Sequence, residues 1–202
     1  MPSGTFSDLG IAVQSLSTTK GSAQTSIGGA GLAQTAVQNN FFTSFSSLAL
    51  ATQTIAAQTW TLALSLNEGN TDANSFITAS LYTYRQGVGV ITYIYDSVTH
   101  LGTEWSAVAA TLNGRVVTFS GASAAVQAYD YLVLEVWRHN LAQGMATAYT
   151  QTLYFDGTTD VVANANSGDA ASYVEDTNGI LFLSFMEALN MAPMKPPTQR
   201  GE

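Results

Sequence analysis

The chain has 202 residues, of which 46% are hydrophobic and only 10% charged, and 14 acidic residues against 6 basic ones give a net charge of −8. So small a charged share, against roughly 25% in ordinary globular chains, leaves the surface to Ser, Thr, Asn, Gln, Gly and Ala; the acidic balance offers no basic footprint for phosphates and excludes nucleic acid and anionic membrane as partners. The chain contains no cysteine, which removes disulfides, thiolate nucleophiles and Cys-based zinc sites together.

The opening "MPSGTFSDLGIAVQSLS" lacks a basic segment followed by an apolar one, and no apolar run reaches the roughly 18 residues that span a bilayer. The expectation is a chain made and kept in the cytosol, or delivered outside by lysis. Residues 1–42 stand apart: "TTKGSAQTSIGGAGLAQTAVQNN" is rich in Gly, Ala, Ser, Thr and Gln, and Asp8 and Lys20 are its only charges. Ile27, Leu32 and Val37 recur every fifth residue, a spacing that suits neither strand nor helix. A floppy tail and an extended arm ordered by neighbouring subunits both fit. The arm is the expected reading, with Ile27, Leu32 and Val37 at its contacts.

From residue 43 to residue 191 the pattern changes. No proline lies between Ser3 and Ala192, and short runs rich in β-branched and aromatic residues are punctuated by Gly, Asn and Asp. Strands are expected at 54–66, 76–85, 88–96, 104–111, 115–120, 131–139, 145–155 and 179–185, with helical turns at 40–51 and 185–191. The fold class is all-β, a jelly-roll-like antiparallel β-sandwich. Residues 192–202, holding Pro193, Pro196 and Pro197, form a C-terminal tail.

A tight turn at Gln86-Gly87 would set Tyr84 opposite Gly89 and Tyr82 opposite Ile91, placing Tyr82, Tyr84, Ile91, Tyr93 and Tyr95 on one face. Ile77, Leu81, Val88, Val90 and Ile94 then fill the other. Both faces are apolar, whereas a sheet wetted on one side alternates with polar residues. The second face needs a cover, and Tyr82, Tyr84, Tyr93 and Tyr95 are expected at a subunit interface or under the arm. In "AYDYLVLEVWRHN", Leu132, Leu134 and Val136 point one way and Tyr131, Val133, Glu135 and Trp137 the other, with Arg138 and His139 where the strand leaves the core.

Asp130 and Glu135 are the first carboxylates to test as an acid–base pair, but five residues along a strand puts them on opposite faces. Asp130 is expected to organise a turn and Glu135 to pair with Arg85, Arg115 or Arg138. His100 and His139 sit in no ligand cluster, and "DGTTD" and "NEGNTD" read as turns in preference to calcium loops. No catalytic residue, cofactor or metal site is expected. Trp60, Trp105, Trp137 and the tyrosines could make a sugar-stacking platform, so a glycan stays open as a partner.

The runs "WTLALSLNEGNTDANSFITASLYTYR", "VVTFSGASAAVQAYDYLVLEVWRHN" and "LYFDGTTD" resemble the β-sandwich domains of tailed-bacteriophage virion proteins, in particular capsid decoration (cement) proteins and head or tail fibres. The resemblance spans residues 54–185. It implies a homo-oligomer, a trimer, that clamps major capsid protein subunits on the virion surface. It also implies no catalytic residues. A carbohydrate- or receptor-binding module of a fibre or tail is the alternative.

Overall fold

The computed structural model describes residues 5–6, 11–70, 73, 75–97, 101, 104–105, 113–142, 145–165, 169–177 and 179–184. In chain order the strands are β1 Thr5–Phe6, β2 Ile11–Ser17, β3 Thr25–Gln34, β4 Gln38–Ser46, β5 Gln53–Ile55, β6 Gln58–Glu68, β7 Ser75–Arg85 and β8 Val90–Asp96. They continue as β9 Asn113–Gly121, β10 Ala124–Val126, β11 Asp130–Asn140, β12 Met145–Phe155, β13 Thr159–Asp160, β14 Ala170–Ala171, β15 Tyr173–Asp176 and β16 Gly179–Ser184. The all-β sandwich expected from the alternation is what forms.

A 12-stranded sheet runs β3-β12-β6-β15-β16-β2-β4-β11-β7-β8, with β1 joined to β2 and β9 to β6. β12 and β15 share one edge of β6, at Ser65–Glu68 and Thr61–Ala63 respectively, while β9 takes the other edge. The sheet folds over on itself, because strands far apart along its path meet in one core. Trp60, Leu62, Leu64 and Leu66, every second residue of β6, pack with Val117 and Phe119 of β9 against Ile77, Ala79 and Leu81 of β7 and Leu132, Leu134 and Val136 of β11. Each such fully buried side chain stabilises the fold by about 1.5–3 kcal/mol. The parallel pairing of β2 with β4 joins the two layers.

Residues 11–42 do not form a separate arm. β2 and β3 are sheet members, and a boundary at 42/43 would cut β4, which pairs with β11 from Gln38 to Ser46. The low charge and the glycines serve close packing here. A Cβ on Gly29 would lie 2.5 Å from Phe42 Cε2 and 2.7 Å from Arg138 Nη1, and one on Gly31 would lie 3.1 Å from Ala148 Cβ. The helical turn expected at 40–51 is likewise strand as far as Ser46, because Phe45 turns inward opposite Leu134 and edge-packs on Phe155. Of the strand expected at 104–111, Glu104 forms an isolated bridge to Phe76 and Trp105 is a bend buried against Phe42. Residues 106–111 fall outside the described residues, as do 185–191 and the tail 192–202.

The hairpin after β7 has a four-residue loop in place of a two-residue turn. Arg85 pairs with Val90, Tyr84 with Ile91 and Tyr82 with Tyr93, two residues out of the expected register. Gly87 at φ 82° and Gly89 at φ 73° supply the left-handed backbone that this loop requires. A shift of two preserves which face each residue occupies, so Tyr82, Tyr84 and Tyr93 stay together. A bulge between Leu81 and Tyr82 then sets Tyr95 opposite Leu81, and its ring stacks on core Phe119 at 4.2 Å. Tyr95 therefore belongs to the core layer, not to the tyrosine face.

Candidate functional site

The outer face of β4, β11, β7 and β8 carries the aromatic residues that the core does not use. Tyr82, Tyr84 and Val133 are buried and pack with Tyr131, and Tyr93 meets Tyr82 edge-on with centroids 5.5 Å apart. Further along the same face Trp137 meets Phe41 at 5.4 Å and an interplanar angle of 78°. Glu135 lies between these groups. It accepts a hydrogen bond from Tyr82 Oη at 2.7 Å and one from Trp137 Nε1 at 2.9 Å. Burial first, then the hydrogen bond and charge of Glu135, holds the Tyr82 phenol far above its ordinary pKa, so it remains a donor.

The expected pairing of Glu135 with an arginine does not occur, because each candidate arginine has other partners. Arg85 forms a two-pronged ion pair with Asp130, Nε to Oδ1 at 2.7 Å and Nη2 to Oδ2 at 2.9 Å. Arg115 donates to Asn164 Oδ1. Arg138 is buried inside the sandwich, where the chain was expected to leave the core, and donates to Ala30 O at 2.9 Å and Gln151 Oε1 at 2.6 Å beneath the Phe42 ring. Burial pushes its pKa down to about 10, leaving it charged at neutral pH.

Asp130 also accepts from Gln127 N at 2.8 Å, the turn role expected of it. The Arg85 guanidinium holds its carboxyl below the ordinary value. "DGTTD" bends at Asp156 (φ 65°) and Thr158, but the turn expected over the whole stretch stops there, because Thr159 and Asp160 form β13 and pair in parallel with β14; Lys20 pairs with Asp160 at 2.7 Å. Among the described residues no group of three or more His, Asp or Glu is placed to hold a metal ion. His100 lies outside the described residues, and His139 Nδ1 shares a 2.6 Å hydrogen bond with Asn39 Oδ1.

The residues expected at an interface are therefore divided. Tyr82, Tyr84 and Tyr93 come together, Tyr95 and Ile27 pack against the core, Leu32 lies in β3 opposite Tyr149, and Val37 is exposed between β3 and β4. Sequence reasoning missed Phe41, Asn39, Thr78 and Asp96, which share the outer face with Trp137. The alternation in "QNNFFTSFS" was the available signal, obscured by its place at the end of a Gly-rich stretch.

Two clefts bear on binding. One, of about 340 Å³, includes Leu50, Ile55, Trp60, Leu132, Asp176 and Leu181 in its lining. The Asp176 carboxylate there is engaged by Gln58 Nε2 at 2.8 Å and Gly179 N at 3.0 Å. The other, of about 150 Å³, lies on the outer face between Asn39, Thr78, Ser80, Asp96, Ser97 and Trp137.

No protein-family model matches the chain, and no curated protein matches its sequence. Among solved structures it is similar to a CocE/NonD family hydrolase from Staphylococcus aureus, with 10% identity and a TM-score of 0.51, over 85% of this chain and 34% of that one. It thus spans about a third of the hydrolase's length. A chain in the structure of infectious bursal disease virus, Gx strain, matches at 11% identity and a TM-score of 0.34, over 84% of this chain and 35% of that one. Eiger TNF from S. frugiperda matches at 9% identity and a TM-score of 0.25, over 71% of this chain and all of that one. At such identities the first likeness concerns the fold alone, an all-β sandwich.

Proposed function

We propose that this protein is a virion structural protein, a trimeric capsid decoration (cement) protein of a tailed bacteriophage that binds major capsid protein subunits. The observation that carries the reading is the hairpin end of the outer face. β8 ends the strand order, and Val88, Val90, Ile91 and Tyr93 on it and its turn are 67%, 43%, 36% and 50% exposed. Neither proline nor lysine blunts this edge, although monomeric β proteins commonly protect exposed edges in that way. An apolar edge of this kind is suited to burial against another subunit. In a chain of net charge −8 it is also a patch where acidic copies can approach without like-charge repulsion.

The titratable groups fit a role without catalysis. Asp130 and Glu135 hold Arg85, Tyr82 and Trp137 in place, and neither faces the other across a cleft. The protein would be made in the host cytoplasm and reside on the capsid surface, without a cofactor. Residues 11–42 have no anchoring role in this reading, since β2, β3 and the start of β4 build the sheet.

Light scattering on the purified chain, followed by sedimentation with capsids lacking it, tests the proposal. The expected result is a trimer that binds capsids, and an Ile91→Lys/Tyr93→Lys variant that melts normally but neither trimerises nor binds. A monomer at all concentrations that leaves capsids unbound would overturn it.

A further inference from the structure

The cleft beside Trp137 is built from four adjacent strands. Register sets Trp137 of β11 between Thr78 of β7 and Phe41 of β4, with Ser80 opposite Asp96 one row away and Asn39 opposite His139 on the other side. The indole is held twice, by the Phe41 ring and by the hydrogen bond to Glu135. A planar apolar group fixed in this way is preorganised for a ligand.

The surrounding polar groups retain unused capacity. Asp96 Oδ1 accepts from Ser80 Oγ at 2.6 Å, leaving its second oxygen as an acceptor. Asn39 uses its carbonyl oxygen on His139 and keeps its amide donors. Thr78 is only 3% exposed, lines the cleft, and its Oγ1 has no hydrogen-bond partner among the described residues. A buried hydroxyl without a partner is costly, by about 1–3 kcal/mol, unless water or a ligand satisfies it.

We infer that this cleft is a binding site for one neutral pyranose ring, stacked on Trp137 and held through vicinal hydroxyls by Asp96, Asn39 and Thr78. A sugar ring has a C–H face for the indole and hydroxyl edges for the carboxylate and amide. The volume of about 150 Å³ corresponds to about five waters at ~30 Å³ each, room for a single ring and not an oligosaccharide. The Asp96 carboxylate and the net charge of −8 disfavour acidic sugars. Along β7, Thr78 lies four residues from Tyr82, about 13 Å at ~3.3 Å per residue. The cleft can therefore stay open while the hairpin end is covered, and this inference does not rest on the decoration reading.

Saturation-transfer NMR of the full chain with methyl glucoside, galactoside, mannoside and N-acetylglucosaminide at millimolar concentration, alongside a glycan array, provides the test. The expected result is transfer to at least one neutral sugar that falls at least fivefold in Asp96→Ala and Asn39→Ala, both at exposed positions, with the wild-type circular dichroism spectrum and a cooperative melt retained. Trp137→Leu should abolish it. Absence of transfer from all four sugars together with an empty array overturns the inference. Binding that survives Asp96→Ala and Asn39→Ala overturns it as well, by locating the sugar elsewhere.

Discussion

Glu135 receives Tyr82 Oη on one carboxylate oxygen at 2.7 Å and Trp137 Nε1 on the other at 2.9 Å, so a single acid ties two aromatic groups of the outer face together. Replacing it by Leu leaves both donors without their acceptor. Each orphaned donor should cost about 1–3 kcal/mol, less where water reaches Trp137, which is half-buried. Urea unfolding of Glu135→Leu, Tyr82→Phe and the double variant should give a coupling energy of at least about 0.5 kcal/mol. Additive effects would mean that the hydrogen bond contributes nothing to stability.

The same contact sets an alkaline limit. Tyr82 has its folded pKa raised, by burial first and by Glu135 second, above the ordinary 10.0. Its contribution is fully present below pH 10 and is lost as pH rises from there toward the folded value, because the unfolded chain releases the proton first. Wild-type stability should therefore fall above about pH 10, and Tyr82→Phe should fall less steeply when melting temperature is followed from pH 9 to pH 11.5.

Asp130 provides the acid counterpart. Its carboxyl is held below the ordinary value of 3.8, chiefly by Arg85. That stabilisation is present above the unfolded pKa and disappears as pH falls through the folded one. Asp130→Asn should lose about 1.5–3 kcal/mol at pH 7, the range for hydrogen bonds to charged groups, and screening should hold it to the lower part, since the Arg85 side chain is 27% exposed. Denaturation curves at pH 7 and pH 2.5 should differ less for the variant than for the wild type.

Alternation along 76–85 and 131–139 made the core strands legible, because each buries one apolar set against the opposite layer. The same rule held for the tyrosine face until the bulge at Leu81/Tyr82, where one extra residue turned Tyr95 inward. Nothing local in "ITYIYD" signals a bulge, since both parities are apolar. The N-terminal strands were obscured for a different reason. Composition there reflects steric fit to partners more than 100 residues away, such as Ala148 against Gly31 and Arg138 against Gly29, and no window of sequence contains both. The Trp137 cleft draws residues from four strands, one of them in that misread segment.

Deleting residues 1–34 tests the corrected role of the N-terminus. The cut removes β2, which bridges β16 to β4, and β3, which covers β12. The truncated chain should show no cooperative thermal transition by circular dichroism. A sharp transition near the wild-type midpoint would restore the arm reading.

Gly29→Ala tests the same integration with a single methyl group. Its Cβ would fall 2.5 Å from Phe42 Cε2 and 2.7 Å from Arg138 Nη1, so the Phe42 ring and the guanidinium would both have to move. Arg138 has little freedom to do so, being buried and bonded to Ala30 O and Gln151 Oε1, and Gln151 Nε2 in turn donates to Ser75 Oγ at 2.9 Å. Overpacking of this kind costs about 1–3 kcal/mol, and displacing a buried charge from its acceptors adds to it. Gly28, with nothing within 4 Å of an added Cβ, is the internal control. Gly28→Ala should leave the urea midpoint within error, whereas Gly29→Ala should lower it. Equal midpoints for the two variants would mean that β3 does not lie over Arg138 in solution.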